Sequence, residues 1–577
     1  MDTDKFGDVE GKPSYEGGQD MLVEGGELVS DDAPALKKKR GHSKKHIETE
    51  RPFRVLGLSR GVFYYLPQGS QQIIDLTAQS HNKQNLTALA PLRYWEREFP
   101  IKAGIDWDAA RDSLMRACER QGYFDENKSI RGRGAWIDRG RPIFHLGDKM
   151  FVNGEAIAPS AIDSKYVYEG DVGLDVELGK PATSKEANAL ITLCERFHWS
   201  TPISGSLLAG WCVISLVSGA LDWRPHIWLT GSSGSGKTTI LHYVIEMLLG
   251  NLGVSITGNT SEAGVRQRLK RDALPVIYDE ADAESKHGIN QLQAVLAFIR
   301  TSSSGAEISK GTADGHGVVF IARSCFCISS IHTFLAQSQD ESRFCTLVLK
   351  RDISPDADKV WSALNLDLIN TITPEYAQSM FSRTLKHLPT LLENIKMFRT
   401  AARIVFPTSR MADQIGTLLA GTYLCYSDKV INLGAAVGWI SRHDWKEQTA
   451  YLDKKDEEKL QDKIMTHRVR VGHGQVAQDA TLGELILICD AEYGSESLSR
   501  ADAEQELRRM GILVEGGFVY IANKSDPMKK ILADTPWALE WGRPLRDVFD
   551  AELTNNMYFN PGILSRATKL PIKAFKQ

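Results

Sequence analysis

The chain lacks the marks of a metal-stapled or secreted protein. Its 577 residues include eight cysteines, yet no two form a C-x-x-C pair and none joins a Cys/His cluster with zinc-ligand spacing. That pattern excludes a structural zinc module and points to a reducing, cytoplasmic compartment. Cys325 and Cys327, two apart on an expected strand, read as core residues. A strong charge of either sign is also missing: the net charge is −4, so any nucleic-acid contact has to come from local patches. No apolar segment opens the chain, where Asp2, Asp4 and Asp8 stand in place of a secretory leader. Long uncharged runs are scarce. Thr201 to Leu221 is long enough to cross a bilayer, but Pro202, Gly205, Gly210 and Gly219 interrupt it. It leads within a few residues into an expected strand, so it reads as a helix buried in a core, and no membrane association is expected.

The length predicts several domains, since one hydrophobic core stops growing at roughly 250 to 300 residues. Residues 1–50 are poor in large apolar groups and read as a disordered tail. It carries a basic run, Lys37, Lys38, Lys39, Arg40, Lys44 and Lys45, that reads as a solvated charge run or as a phosphate contact. Residues 51–180 alternate short apolar runs with Gly and Asp turns around one helix near 107–121, which predicts an α+β domain. Within it, Arg131 and Arg133 sit in a glycine loop beside Trp136, a combination suited to single-stranded nucleic acid, although a plain hairpin turn is the preferred reading.

The informative stretch begins at His226. His226 to Thr230 reads as a buried strand, and Gly231-Ser232-Ser233-Gly234-Ser235-Gly236-Lys237-Thr238 fits G-x-x-x-x-G-K-[ST] in full, ahead of an apolar helix from Thr239 to Leu249. Gly231, Gly234 and Gly236 let backbone N–H groups wrap phosphates, together with those of Ser235 and Thr239. Lys237 reaches the β- and γ-phosphates of ATP, and Thr238 supplies an Mg²⁺ ligand. A second apolar run, Leu274 to Tyr278, ends in Asp279-Glu280. Asp279 suits the metal. Glu280 suits polarisation of an attacking water, which favours hydrolysis over phosphoryl transfer to a small acceptor.

After a helix around Gln291 to Thr301, two short strands flank a Gly-rich tip between Ala306 and Arg323, and a third strand, Cys325 to Ser329, leads to Ser330 and His332. Glu307-Ile308-Ser309-Lys310-Gly311-Thr312, Ile321-Ala322-Arg323-Ser324 and Ile328-Ser329-Ser330 resemble the pre-sensor-1 hairpin and sensor-1 strand of the minichromosome-maintenance clade of AAA+ helicases. Ser342-Arg343-Phe344 falls where that clade has its arginine finger, and Thr408-Ser409-Arg410-Met411 opens a helix as its sensor-2 motif does. The resemblance covers about 226–425. It implies Lys310 and the His316 tip near DNA, Ser330 at the sensor-1 position, Arg343 reaching a neighbour's ATP site and Arg410 contacting nucleotide from a lid. Sensor 1 is usually Asn in that clade, and Asn259 or His332 could share the role of Ser330. Gly258 to Gln267 with Ala273 to Glu280 is similar to ATPase regions of phage and mobile-element primase or helicase proteins. The chain shows no zinc-ligand spacing and no Toprim acidic signature, so primase activity is not expected.

Residues 367–465 read as a helical lid, and 466–577 as two helices and a hairpin turning at Gly516-Gly517, a winged-helix-like pattern. Its second helix mixes Arg500, Arg508 and Arg509 with acids. The expected fold class is α/β: an AAA+ P-loop core at 181–366 with a parallel sheet between helices, flanked by these domains. The expected activity is an ATP- and Mg²⁺-dependent helicase or translocase on single-stranded or forked DNA. It is expected to act as a homo-oligomeric, hexameric ring in a phage or mobile element, with a primase or other replication protein as a candidate partner. The rivals are a DNA-stimulated remodeller or helicase loader, and a nucleotide-gated assembly switch in anti-phage defence.

Overall fold

The computed structural model describes residues 51–258, 260–281, 286–310, 318–331, 342–449, 456–472, 478–490, 498–533, 535, 537–546 and 551–575. The basic tail, Asn259, His316 and His332 lie outside the described residues. Five strands form the sheet that positions the site: β1 (His226–Gly231), β2 (Val254–Thr257), β3 (Val276–Asp279), β4 (Phe326–Ser330) and β5 (Phe344–Leu349). They lie in the order β2-β3-β4-β1-β5, and every neighbouring pair is parallel.

A parallel sheet needs crossovers that cover both faces, and the period of two along each strand sorts its apolar side chains accordingly. Ile227, Leu229, Ile277, Cys325, Cys327 and Leu347 face one core with the helices Ile203–Ser215 and Ser409–Tyr426. Trp228, Val276, Tyr278, Phe326 and Ile328 face a second core with Glu262–Leu269 and Lys286–Ser304. The uncharged 201–221 stretch thus supplies a helix buried along its whole length. Its glycine serves a close crossing, since a Cβ on Gly210 would overlap the Leu418 carbonyl and the Thr422 hydroxyl of the Ser409–Tyr426 helix. No helix among the described residues is long and apolar enough to cross a membrane.

Residues 51–180 hold a three-stranded antiparallel sheet under the helix Trp107–Gln121, and a four-stranded antiparallel sheet over Gly134–Ile157. This region is sewn to the parallel-sheet core just upstream of β3. Gly132 donates to the Arg271 carbonyl at 3.2 Å, Ala273 donates to the Arg133 carbonyl at 2.8 Å, and Gly134 bridges Ala273. A Cβ on Gly132 or Gly134 would strike the backbone of Arg271 or Ala273. These glycines are therefore demanded by backbone approach between two segments.

Past β5, the helix Ala357–Thr371 runs through the 366/367 boundary read from sequence, and Pro374–Lys386, Leu388–Val405, Ser409–Tyr426 and Leu433–Ser441 follow. The helix Asp456–Met465 packs Leu460 and Ile464 into the carboxy-terminal core instead. There Ser499 caps Arg500–Met510, and the hairpin Ile512–Glu515/Phe518–Ala522 turns at Gly516 and Gly517, with φ of 61° and 79°. Two consecutive left-handed residues suit the right-handed twist of the flanking strands. The sheet goes further than the sequence pattern implied, because Ile563–Pro571 and Glu552–Asn560 extend it to four antiparallel strands.

Candidate functional site

The loop after β1 enters the first helical turn through glycines that adopt conformations L side chains resist: φ is 152° at Gly231, 75° at Gly234 and 98° at Gly236. Gly236 caps Lys237–Thr239, which continues through the π-helical Ile240–Glu246 into Met247–Leu249. Lys237 Nζ donates to the carbonyls of Gly231 at 2.5 Å and Ser232 at 3.1 Å, so the ammonium is already folded over the loop. Ser235 is buried with its hydroxyl unpaired, and Thr238 is exposed at the start of the helix.

Strand β4 lies between β1 and β3, so the carboxyl ends of three adjacent strands deliver the loop, Ser330 and Asp279 side by side. Ser330 pairs in register with Thr230, and its hydroxyl accepts from Trp228 Nε1 at 2.8 Å. Asp279 ends β3 and accepts the Glu280 N–H at 2.8 Å. Glu280 is exposed and takes φ of 53°, a left-handed conformation that costs a non-glycine residue about 1 kcal/mol or more. Gly258 accommodates that turn, for a Cβ there would overlap the Glu280 carbonyl. Asp279, Glu280, Ser329, Ser330, Gly258 and Thr257 line a cavity of 440 Å³. The Thr238 hydroxyl and Asp279 carboxylate are hard oxygen donors, the set that Mg²⁺ takes.

A second cavity, of 230 Å³, adjoins the loop at Gly234 and Ser235 and is lined by Phe197, His198, Arg351 and Trp361. The Trp361 ring lies against Gly236, about where a Cβ would meet it at 3.1 Å. Sequence reasoning missed these residues. They come from two stretches, 197–198 and 351–361, each more than thirty positions from the loop, and only the folded chain brings them to it.

Two arginines stand elsewhere. Arg343 directly precedes β5, whose Phe344 pairs with His226, the first residue of β1. The loop follows the last residue of that strand, so Arg343 occupies the opposite edge, the one formed by the amino-terminal ends of the strands. Arg410 lies at that same edge, since Gln414, one turn on, donates to the His226 carbonyl at 2.5 Å. The structure does not bring Arg410 to the loop of its own chain.

Lys310 ends the strand Ile308–Lys310, which pairs antiparallel with Val318–Phe320. Arg131 and Arg133 are committed internally. Arg133 donates twice to Asp272 Oδ2, at 2.9 and 2.6 Å, while its backbone N–H donates to Oδ1 at 2.7 Å. Burial pushes the Asp272 carboxyl up and the ion pair pulls the other way; three charge-assisted contacts hold the charged form. Arg131 donates to the Ile137 carbonyl and the Tyr168 hydroxyl, both at 3.0 Å, and lies 3.4 Å over the Tyr166 ring. The planar fork of Arg133 serves the junction between the amino-terminal region and the core, while that of Arg131 ties together strands and loops within the amino-terminal region.

No protein-family model and no curated protein matches the chain. Among solved structures it is similar to one described as SCCmec type IV Cch, an active helicase, with a TM-score of 0.45 and 12% identity over 91% of this chain and 95% of that one. It is also similar to the apo A form of the NrS-1 C-terminal region, with a TM-score of 0.28 and 10% identity over 74% of this chain and 96% of that one. A second NrS-1 C-terminal structure, covering 305–718, gives a TM-score of 0.30 and 9% identity over 90% and 96%.

Proposed function

We propose that the chain is an AAA+ ATPase that translocates on DNA and separates its strands, acting as an oligomeric ring in the replication of a phage or mobile element. The observation that carries this is the convergence of the glycine loop, Ser330 and Asp279-Glu280 at the ends of three adjacent parallel strands. Backbone N–H groups of Gly234 to Thr239 and the Lys237 ammonium bind the triphosphate at a helix N-terminus. Thr238 and Asp279 would hold Mg²⁺, which would supply positive charge to offset that of the phosphates. Glu280 accepts a proton from the attacking water. Its strained turn holds the carboxylate in the cavity, beside Ser330, which hydrogen-bonds at the γ-phosphate end.

The aromatic cavity at Phe197 and Trp361 takes the adenine ring. The position of Arg343 at the far edge of the sheet supports a role in trans: it is too far from its own loop to act there, and a ring supplies every finger with a neighbour's site. Arg410, at the same edge, is read with it as a residue facing the neighbour. The Ile308–Phe320 hairpin, with Lys310, is read as the DNA-engaging element, the helices after β5 as the lid, and the carboxy-terminal unit as a winged-helix domain with an enlarged sheet.

Strand displacement on forked DNA tests this directly. The intact chain with ATP and Mg²⁺ is expected to release the strand, and Glu280→Gln to bind ATP and release nothing. DNA-stimulated hydrolysis without strand release would replace the helicase with a loader or remodeller, and hydrolysis indifferent to DNA would leave an assembly switch.

A further inference from the structure

Between the amino-terminal region and the parallel-sheet core lies a cleft of 1340 Å³, separate from the two cavities at the glycine loop. Its lining takes in the base of the hairpin through Glu307, Val319 and Phe320, the Glu262–Leu269 helix through Arg266, and the amino-terminal region through Arg60 and Tyr123.

Its charges are unevenly spent. Glu126 and Glu169 are paired with Arg271, Asp171 with Lys270, and Asp125 and Glu307 with Lys128. The remaining cations of the lining, Arg60, Arg266 and Arg323, have no carboxylate partner among the described residues. Because most of the cleft's charge is mutually cancelled, its bulk field is weak. What distinguishes it is three guanidinium forks with no anion to meet, each suited to a phosphate. Arg323 is half-buried and oriented by the Trp136 ring, 5.7 Å away.

The same lining leaves a large aromatic in water: Tyr123 is 93% exposed although the neighbouring Phe124 is buried. Unpaired arginines beside an exposed ring form the combination that holds an unpaired strand, because phosphates need cations and open base faces need a stacking partner. A duplex keeps its base faces inside and offers Tyr123 nothing to stack on.

We propose that this cleft binds single-stranded nucleic acid, with Tyr123 stacking on a base and Arg60, Arg266 and Arg323 on phosphates, and that the bound strand runs to the adjoining hairpin. The direction of travel rests on the motor reading; the binding site does not.

The test is the affinity of the full chain for fluorescein-labelled oligothymidylate, measured by anisotropy over a range of salt. Tyr123→Ala is expected to weaken binding about tenfold, and Tyr123→Phe to restore it. Arg60→Gln combined with Arg266→Gln is expected to flatten the log–log salt slope by about 1.4, roughly 0.7 per phosphate contact on a single strand. Arg93→Gln, a charge removed from an exposed helix outside the cleft, is expected to leave the slope unchanged. Undiminished binding by Tyr123→Ala, an equal flattening by Arg93→Gln, or no binding by the intact chain overturns the proposal. An intact chain that unwinds forked DNA while Tyr123→Ala binds undiminished removes the cleft and keeps the motor. A chain that hydrolyses no ATP but loses oligothymidylate with Tyr123→Ala keeps the cleft and removes the motor.

Discussion

At the residue scale, the Trp361 ring lies against Gly236 and shares a cavity with Phe197. Lys237, Thr238, Asp279 and Glu280 announce themselves; Trp361 and Phe197 do not, since nothing in their local sequence points to a loop more than a hundred residues away from Trp361. If the adenine ring rests on Trp361, Trp361→Ala should raise KM for ATP by about tenfold, a stacking contribution of about 1 kcal/mol plus lost apolar burial, with kcat much less affected. A steady-state titration in ATP checks this, and an unchanged KM would move the base elsewhere. His226 makes a different prediction. Its Nδ1 accepts the Phe326 N–H at 3.1 Å and its Nε2 faces the Ile299 carbonyl at 3.0 Å, so the buried ring is held neutral and burial pushes its pKa down to about 3. A folded pKa below the unfolded value of about 6.5 means that the unfolded chain binds more protons. Stability is then complete above that pH and lost as pH falls, by roughly 2 kcal/mol at pH 5. Melting at pH 7 and pH 5 should show this drop, and His226→Gln should show a shallower one.

At the element scale, the strands and helices of the core follow from period and length, and the five-stranded order follows from how they cross. The junction was the part that a linear reading could not give. The glycines and arginines of 131–134 carry the composition of a nucleic-acid loop, yet the partners of Gly132, Arg133 and Gly134 are Arg271 to Ala273, about 140 positions on, and a sequence does not say which distant backbone a glycine must admit. The same limit applied to the carboxy-terminal sheet. Its Gly516-Gly517 turn was readable locally, but the pairing of Ile563–Pro571 onto Phe518–Ala522 is a long-range contact. The junction predicts a measurable cost. Arg133 and Asp272 are largely buried, with side-chain exposures of 18% and 6%. Removing one partner strands a desolvated charge, typically at about 3–5 kcal/mol. Arg133→Met should therefore lower the denaturant midpoint markedly, while Arg133→Met with Asp272→Leu should recover part of the loss. If the single substitution is silent, the junction is held without this pair, by its backbone hydrogen bonds, its other ion pairs and its apolar contacts.

At the scale of the whole molecule, the site of one chain is incomplete if Arg343 acts across an interface, because the glycine loop and Arg343 occupy opposite edges of the same sheet. The geometry makes that arrangement testable without knowing the size of the ring. A chain carrying Arg343→Ala keeps Glu280 but offers its neighbour no finger. A chain carrying Glu280→Gln offers a finger but cannot activate water. Each alone should hydrolyse ATP at least a hundredfold more slowly than the intact protein, since either the finger or the base is worth about that much or more. Mixed, they create interfaces at which the Glu280 of one chain meets the Arg343 of the other, and at random assembly about a quarter of sites are whole. Hydrolysis should therefore rise well above either parent when the two are combined and allowed to exchange, and it should fall again on dilution below the assembly concentration. Arg410→Ala mixed with Glu280→Gln should behave in the same way if Arg410 also serves the neighbour, and should show no gain if it acts within its own chain. An Arg343→Ala chain with full activity by itself would remove the finger from the mechanism, and with it the reason for the ring.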